Sequence, residues 1–194
     1  MWQILKQAYR KALGFIRAVA PEILIALVLF VGGFTVGLIW PEPFGFLEET
    51  VDQLIARFRD LGALAFIFRI FINNLVAAYL VSCVFVLFGI IPALAAAING
   101  VLIGWVLATT PELGLSEAVS GLAPHGLFEI PAVAIAWGIG IWRGVGHRIS
   151  VRFAGSAWQR WRMANRIFVM VVVPLLLVAA VIEGRIHIAR ALFG

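Results

Sequence analysis

Apolar residues fall into five long runs separated by short polar segments, and this pattern dominates the chain. A helix that crosses a bilayer needs about 20 mostly apolar residues. The runs therefore predict an all-α membrane protein with five transmembrane helices in a single domain, residues 1–194. The predicted spans are 22–40, 66–90, 91–108, 122–142 and 167–186.

Three flanking segments have an amphipathic pattern instead: residues 1–21, residues 50–61, where Thr50 can cap a helix with Val51, Leu54, Ile55 and Phe58 on one face, and residues 156–166. Within residues 1–21, apolar positions recur at helical spacing from Ile4 to Ile16, with basic residues on the opposite face, which predicts a helix lying in the membrane interface. Residues 156–166 place Trp158 and Trp161 among polar and basic neighbours, a composition typical of the headgroup level. Each segment would serve either lipid or partner recognition or ordinary anchoring.

The composition excludes several protein classes. Hydrophobic residues make up 63% of the chain and charged residues 13%, and the mean hydropathy is +1.04. A soluble enzyme cannot bury that much apolar surface, and a disordered chain does not contain it. The single cysteine, Cys83, excludes an internal disulfide and a cysteine-based metal cluster.

The net charge of +5 is interpreted as basic loops facing the cytoplasm, so the expected partner is the lipid bilayer of the cell membrane and not nucleic acid. The basic residues concentrate before the first span and between residues 143 and 166, whereas acidic residues dominate the segment 42–60. Lys and Arg set orientation, which predicts that the N-terminus lies inside and the C-terminus outside.

Small residues predict where helices approach closely, because lipid supplies no hydrophobic drive between them. They recur every four residues in the third and fourth spans, and a single pair occurs in the first. These are Ala96, Gly100, Gly104 and Ala108, then Ala132, Ala136, Gly140 and Gly144, and finally Gly33 and Gly37. The third and fourth spans are expected to form the packed centre, although the same stripes suit a homodimer interface.

Polar residues inside the spans are the candidates for function, because hydrocarbon disfavours them. They are Arg69, Asn73, Asn74, Asn99, His125, Glu129 and Glu183. The predicted topology places most of them between mid-membrane and the outer surface, which indicates one intramembrane polar site. Its alternative is a structural network that fixes helix register. Arg69 alone is also explained by snorkelling to the interface.

His125 and Glu129 are four residues apart and therefore share a helix face. Such a pair can relay a proton or bind a cation, so both are candidate metal ligands; no cofactor is expected. Pro131 would free the carbonyl of Leu127 and kink the helix beside Glu129. The residues expected to break or pack helices are Gly100, Gly104, Pro124, Gly126, Pro131 and Gly140.

Four strings in the second half of the chain carry a family resemblance. They are Phe-Ile-Asn-Asn at 71–74, Asn-Gly at 99–100 with Gly104, Pro-His-Gly-Leu-Phe-Glu-Ile-Pro-Ala at 124–132, and Ala-Val-Ile-Glu at 180–183. The chain resembles the stage II sporulation protein M family from about Phe68 to Glu183. The string at 124–132 is the specific part, and it departs from the family only in beginning Ala-Pro-His-Gly where Leu-Pro-His-Gly is common.

The resemblance implies a multi-pass helical membrane protein. The family's named member anchors partners that degrade peptidoglycan during engulfment in spore formation, while the family extends to organisms that make no spores. The resemblance covers the polar residues that hydrocarbon disfavours, except Arg69.

The sequence predicts a protein that is not an enzyme. The histidines are far apart, and the motifs of serine hydrolases, phosphate-binding loops and zinc proteases do not occur. Two function classes remain. The first is a membrane scaffold or anchor, expected to be a homodimer with possible partners in the membrane or cell envelope. The second is a small oligomeric channel or transporter that uses the Asn/His/Glu cluster.

Overall fold

The apolar runs form helices, which a computed structural model describes over residues 2–59, 61–83, 86–110, 115–146 and 156–193. The side chains of some helical residues, His125 and Pro124 among them, lie outside this description. The described part contains helices and no strand, which confirms the predicted all-α class. The helices are α1 (Trp2–Ala18), α2 (Ala20–Ile39), α3 (Leu47–Arg59), α4 (Ala63–Cys83), α5 (Ile90–Thr109), α6 (Leu115–Ile141), α7 (Ala157–Ile167) and α8 (Val173–Phe193).

Five stretches of the described chain are long and apolar enough to cross a membrane, as predicted. They are Ala20–Ile39, Ala63–Cys83, Ile90–Thr109, Gly126–Val145 and Trp158–Arg185. The last is longer than predicted, because α7 continues into α8 through a π-helical turn at Phe168–Val172. This wider turn lies directly before Pro174, whose missing N–H disrupts regular α-helical bonding.

The turn between α4 and α5 differs from the prediction. The second span was expected to reach residue 90, but α4 ends at Cys83 and a short 3₁₀ turn follows at Val86–Gly89. Phe88 and Gly89 have φ angles of 56° and 81°. Left-handed backbone of this kind ends a helix and is cheapest at glycine. The chain therefore reverses before it enters α5.

Helix α6 is the central element of the bundle. In the most apolar 18-residue stretch of Gly126–Val145, 61% of the residues are buried, against 17% to 39% in the corresponding stretches of the other four spans. Its small residues allow this position. Ala132 and Ala136 pack with Ala78 of α4 in one apolar cluster, and a Cβ added at Gly140 would overlap the carbonyl oxygen of Val81. Helix α4 therefore lies directly against α6.

The small-residue stripe of α5 packs most closely against α2, and α5 also packs against α6, since Ala96 shares a buried cluster with Ala134 and Trp137. A Cβ added at Gly100 would overlap the carbonyl oxygen of Phe30, and one at Gly33 would overlap that of Ala97. Gly37 and Gly104 meet the opposite helix in the same way. The two helices run parallel, so two matched glycine pairs let their backbones touch over two turns.

The amphipathic helices α1 and α7 pack together at one end of the bundle. Phe15 of α1 and Trp142 form an edge-to-face pair, with ring centroids 5.0 Å apart. Both side chains are buried with Ala164 and Ile167 of α7. Helix α3 lies at the other end, where Phe58 meets Phe66 at the start of α4. The predicted interfacial segments thus fold onto the bundle.

Candidate functional site in the membrane bundle

A chain of side-chain hydrogen bonds joins α4 to α6. Asn74 donates from Nδ2 to Oε1 of Glu129 at 3.0 Å, and both side chains are partly buried. Asn73 donates to Oδ1 of Asn74 at 3.4 Å. The alanines that bring α4 and α6 together lie about one turn from this bond, so close helix packing sets the reach of both side chains.

Glu129 also lines a cavity of about 280 Å³ between α2, α5 and α6. Asn99 lies on the facing wall and donates from Nδ2 to the carbonyl oxygen of Ala95 at 2.7 Å, within its own helix. The rest of the described wall is apolar and rich in aromatic rings, contributed by Phe30, Val31, Phe34, Ile103, Gly126, Ile130, Val133 and Trp137. Glu129 therefore stands between the α4 contact and the cavity.

Two further residues of the predicted set, Arg69 and Glu183, lie on α4 and α8. Arg69 is exposed and places its guanidinium 6.0 Å from the ring centre of Phe58 in α3. Glu183 is half-buried on α8 next to Gly184, which packs against Ile67 near the beginning of α4. The side chain of His125 lies outside the described residues. The structure thus brings together Asn73, Asn74, Asn99 and Glu129 from the predicted set.

Within the described part of the chain, no three His, Cys, Asp or Glu side chains converge as metal ligands would. The predicted pairing of His125 with Glu129 stays a prediction, because the side chain of His125 lies outside the described residues. What the described geometry offers is a carboxyl group held by an amide donor and facing an aromatic cavity.

Comparison with known families decides the identity of the bundle. The profile described as stage II sporulation protein M matches residues 23–186, which is most of the chain and includes four spans entirely and the first span from residue 23. The chain belongs to the stage II sporulation protein M family. No curated protein matches the chain, and no solved structure matches it either.

The family strings lie on separate helices that meet in the bundle. The string at 71–74 supplies the asparagines of α4, the string at 99–100 supplies Asn99 and Gly100 of α5, and the string at 124–132 supplies Glu129 of α6. Within the string at 124–132, Pro131 is exposed and lies in a helix that continues to Ile141. The side chain of Pro124 lies outside the described residues. A Cβ at Gly126 would meet only Cδ1 of Ile130, at 3.6 Å.

Two features were missed from the sequence. Glu22 was taken as the first residue of a span, yet it is only 7% exposed and lies on the buried face of α2 with Ala26 and Phe30. The signal in the sequence was the spacing: Glu22 precedes Ala26 by four residues, so the two share one face of the helix. The aromatic wall of the cavity was also missed, because Phe30, Phe34 and Trp137 look like ordinary apolar residues of a span.

Proposed function

We propose that this member of the family is a non-enzymatic scaffold or anchor in the cell membrane that works as a homodimer and recruits partner proteins. The supporting observation is the exposure of Asn73 on α4. Its amide lies between Ile72 and Val76, which are 37% and 50% exposed. An amide in contact with hydrocarbon is costly, so a face of this kind is typical of a helix that is covered by another helix.

The hydrogen bonding of Asn73 favours the same proposal. The amide makes one long bond of 3.4 Å to Asn74, although an asparagine side chain can donate two hydrogen bonds and accept two. The same residue on a second copy of α4 offers matching donors and acceptors. Interhelical bonds of this type contribute roughly 0.6–2 kcal/mol in membranes.

Site-specific photo-crosslinking tests the proposal. A photoreactive side chain replaces Ile72 or Val76 in the full chain in its native membrane, and the matched controls replace Leu24 or Val28, which are 62% and 63% exposed on α2. Products specific to α4 are expected, either with a second copy or with a distinct protein that mass spectrometry identifies. Equal yields from both helices would contradict the proposed interface.

A second candidate function is permeation through a small oligomeric channel or transporter. The cavity beside Asn99 and Glu129 favours it, because ionisable residues within membrane spans often mark solute paths. The two candidates differ in one measurable property: a channel conducts when purified and reconstituted, whereas a scaffold does not.

A further inference from the structure

A second cavity, of about 610 Å³, lies at the end of the bundle that carries α3. Its wall is formed by the 3₁₀ turn at Glu42–Phe44, by α3 and by the C-terminal end of α5. The volume is within the usual range for ligand sites, roughly 300–1,000 Å³. This cavity is distinct from the one beside Glu129, and its chemistry is different.

The wall of this second cavity is acidic. Glu48 and Asp52 are four residues apart and share one face of α3, and Glu42 comes from the preceding turn. All three side chains are exposed and form no hydrogen bond or ion pair within the described part of the chain. None of the described residues that line the cavity is basic. The wall therefore suits a cationic group that donates hydrogen bonds.

The acidic residues suit an organic cation better than a metal ion. Within the described chain, no three acidic, His or Cys side chains converge as metal ligands would. The positive charge of a guanidinium or an ammonium group is carried by several N–H donors, which can reach carboxylates that are spread over a wall.

Trp105 of α5 adds a hydrogen-bond donor to the same wall. The residue is 6% exposed, and its indole Nε1 is buried without a hydrogen-bond partner. Buried N–H groups are nearly always paired, and an indole N–H can only donate. The hydroxyls of Thr109 and Thr110, which also line the cavity, already donate to carbonyl oxygens of α5. A ligand that also carries a carbonyl oxygen supplies the acceptor that suits Trp105.

We infer that this cavity binds a basic peptide segment of a partner protein. An arginine or lysine side chain of the segment pairs with Glu42, Glu48 and Asp52, and a backbone carbonyl accepts from Nε1 of Trp105. A peptide carries both groups on one chain, whereas a simple polyamine carries the cation without the carbonyl. The site is separate from the exposed α4 face that supports the scaffold proposal, so each stands without the other.

Binding of a short labelled peptide tests the inference. The probe is acetyl-Gly-Arg-Gly-Arg-Gly-amide with a neutral fluorophore, and its matched control carries citrulline in place of both arginines, which removes the charge and keeps the shape. The full-length protein is held in phosphatidylcholine nanodiscs at about 150 mM salt, which screens long-range attraction, and fluorescence anisotropy is read against empty nanodiscs. Saturable binding of the arginine peptide is expected, about tenfold or more tighter than that of the citrulline peptide. Equal binding of both peptides, or no binding of either, would overturn the inference.

Two variants of α3 place the binding in the cavity. Asp52→Asn removes an exposed charge from the wall and is expected to weaken binding of the arginine peptide about fivefold to tenfold. Glu49→Gln removes the same charge from the same helix, but Glu49 is not among the described residues of the wall and accepts a hydrogen bond from Gln53 instead. It serves as the control and should bind as the wild type does. Equal effects of the two variants would mean that the peptide does not bind in this cavity.

The role of the peptide carbonyl is tested from both sides. Trp105→Phe keeps an aromatic ring and removes the N–H, so binding of the arginine peptide is expected to weaken about threefold to tenfold. Hexamethylenediamine has the same charge as the peptide and no carbonyl, so it should displace the probe about threefold or more less effectively than the unlabelled peptide. Unchanged binding in a Trp105→Phe protein of wild-type thermal stability, or equal displacement by the diamine, would show that charge alone is recognised and would contradict the assignment to a peptide.

Discussion

The side-chain amide of Asn74 donates a 3.0 Å hydrogen bond to the carboxyl of Glu129, a residue 55 positions away on α6. This bond crosses the interface between α4 and the central helix. Asn73, its neighbour in sequence, is exposed on the surface of α4 instead. The two neighbouring asparagines thus differ in environment: Asn74 bonds to α6 within the bundle, and Asn73 is exposed on its surface.

Replacing Asn74 by Ala is expected to destabilise the protein by about 0.6–2 kcal/mol, because the interhelical bond is lost. Asn73→Ala is expected to have a smaller effect on the free energy of unfolding. Reversible unfolding in bicelles measures both, and a double-mutant cycle between Asn74→Ala and Glu129→Ala isolates the coupling energy. Equal destabilisation by the two asparagine variants, or zero coupling, would contradict this role of Asn74.

Gly33 is expected to tolerate no side chain. Gly33→Ala places a methyl group onto the carbonyl oxygen of Ala97 and separates α2 from α5, at a cost of about 1–3 kcal/mol. Gly32→Ala is a close control, because a Cβ there meets nothing within 4 Å. The melting temperature in detergent should fall for the first variant only. Equal melting temperatures would mean that α2 and α5 do not pack through these glycines.

The contact between Phe15 and Trp142 is expected to hold α1 on the bundle. Phe15 is 1% exposed, whereas Leu13 on the other face of α1 is 54% exposed. Phe15→Ala should cost about 3–5 kcal/mol of packing energy and release α1, so that trypsin cleaves faster at Lys6, Arg10 or Lys11. The control variant Leu13→Ala should leave the cleavage rate near that of the wild type. Faster cleavage in the control, or a wild-type cleavage rate in Phe15→Ala, would refute the docking of α1.

The five spans were predicted well from the sequence, because apolar runs of about 20 residues are typical of transmembrane helices. The sequence also identified Asn74, Asn99 and Glu129 as candidate site residues, because polar side chains are costly in hydrocarbon and usually have a structural or functional role there. It did not predict which helices pair. Glycine stripes in α2, α5 and α6 mark surfaces of close approach but do not specify the partner, and only the folded bundle shows that Gly100 meets Phe30.

Orientation remains a prediction from the Lys and Arg distribution, and cysteine labelling tests it. In a Cys83→Ala background, a cysteine at Glu48 on α3 should react with an impermeant maleimide added to intact cells. A cysteine at Arg162 on α7 should react only after the membrane is opened. Both side chains are exposed, so accessibility in the fold does not limit the reaction. The reverse pattern would invert the predicted topology.

Flux in liposomes tests most directly whether the polar cluster supports a scaffold or carries a solute. The purified protein and its Glu129→Gln variant are reconstituted, and protons, alkali cations, divalent cations and small anions are assayed in turn. The scaffold proposal predicts no flux above that of empty liposomes for either protein. Flux that is present in the wild type and lost in a folded Glu129→Gln protein would contradict it and establish Glu129 as part of a permeation path.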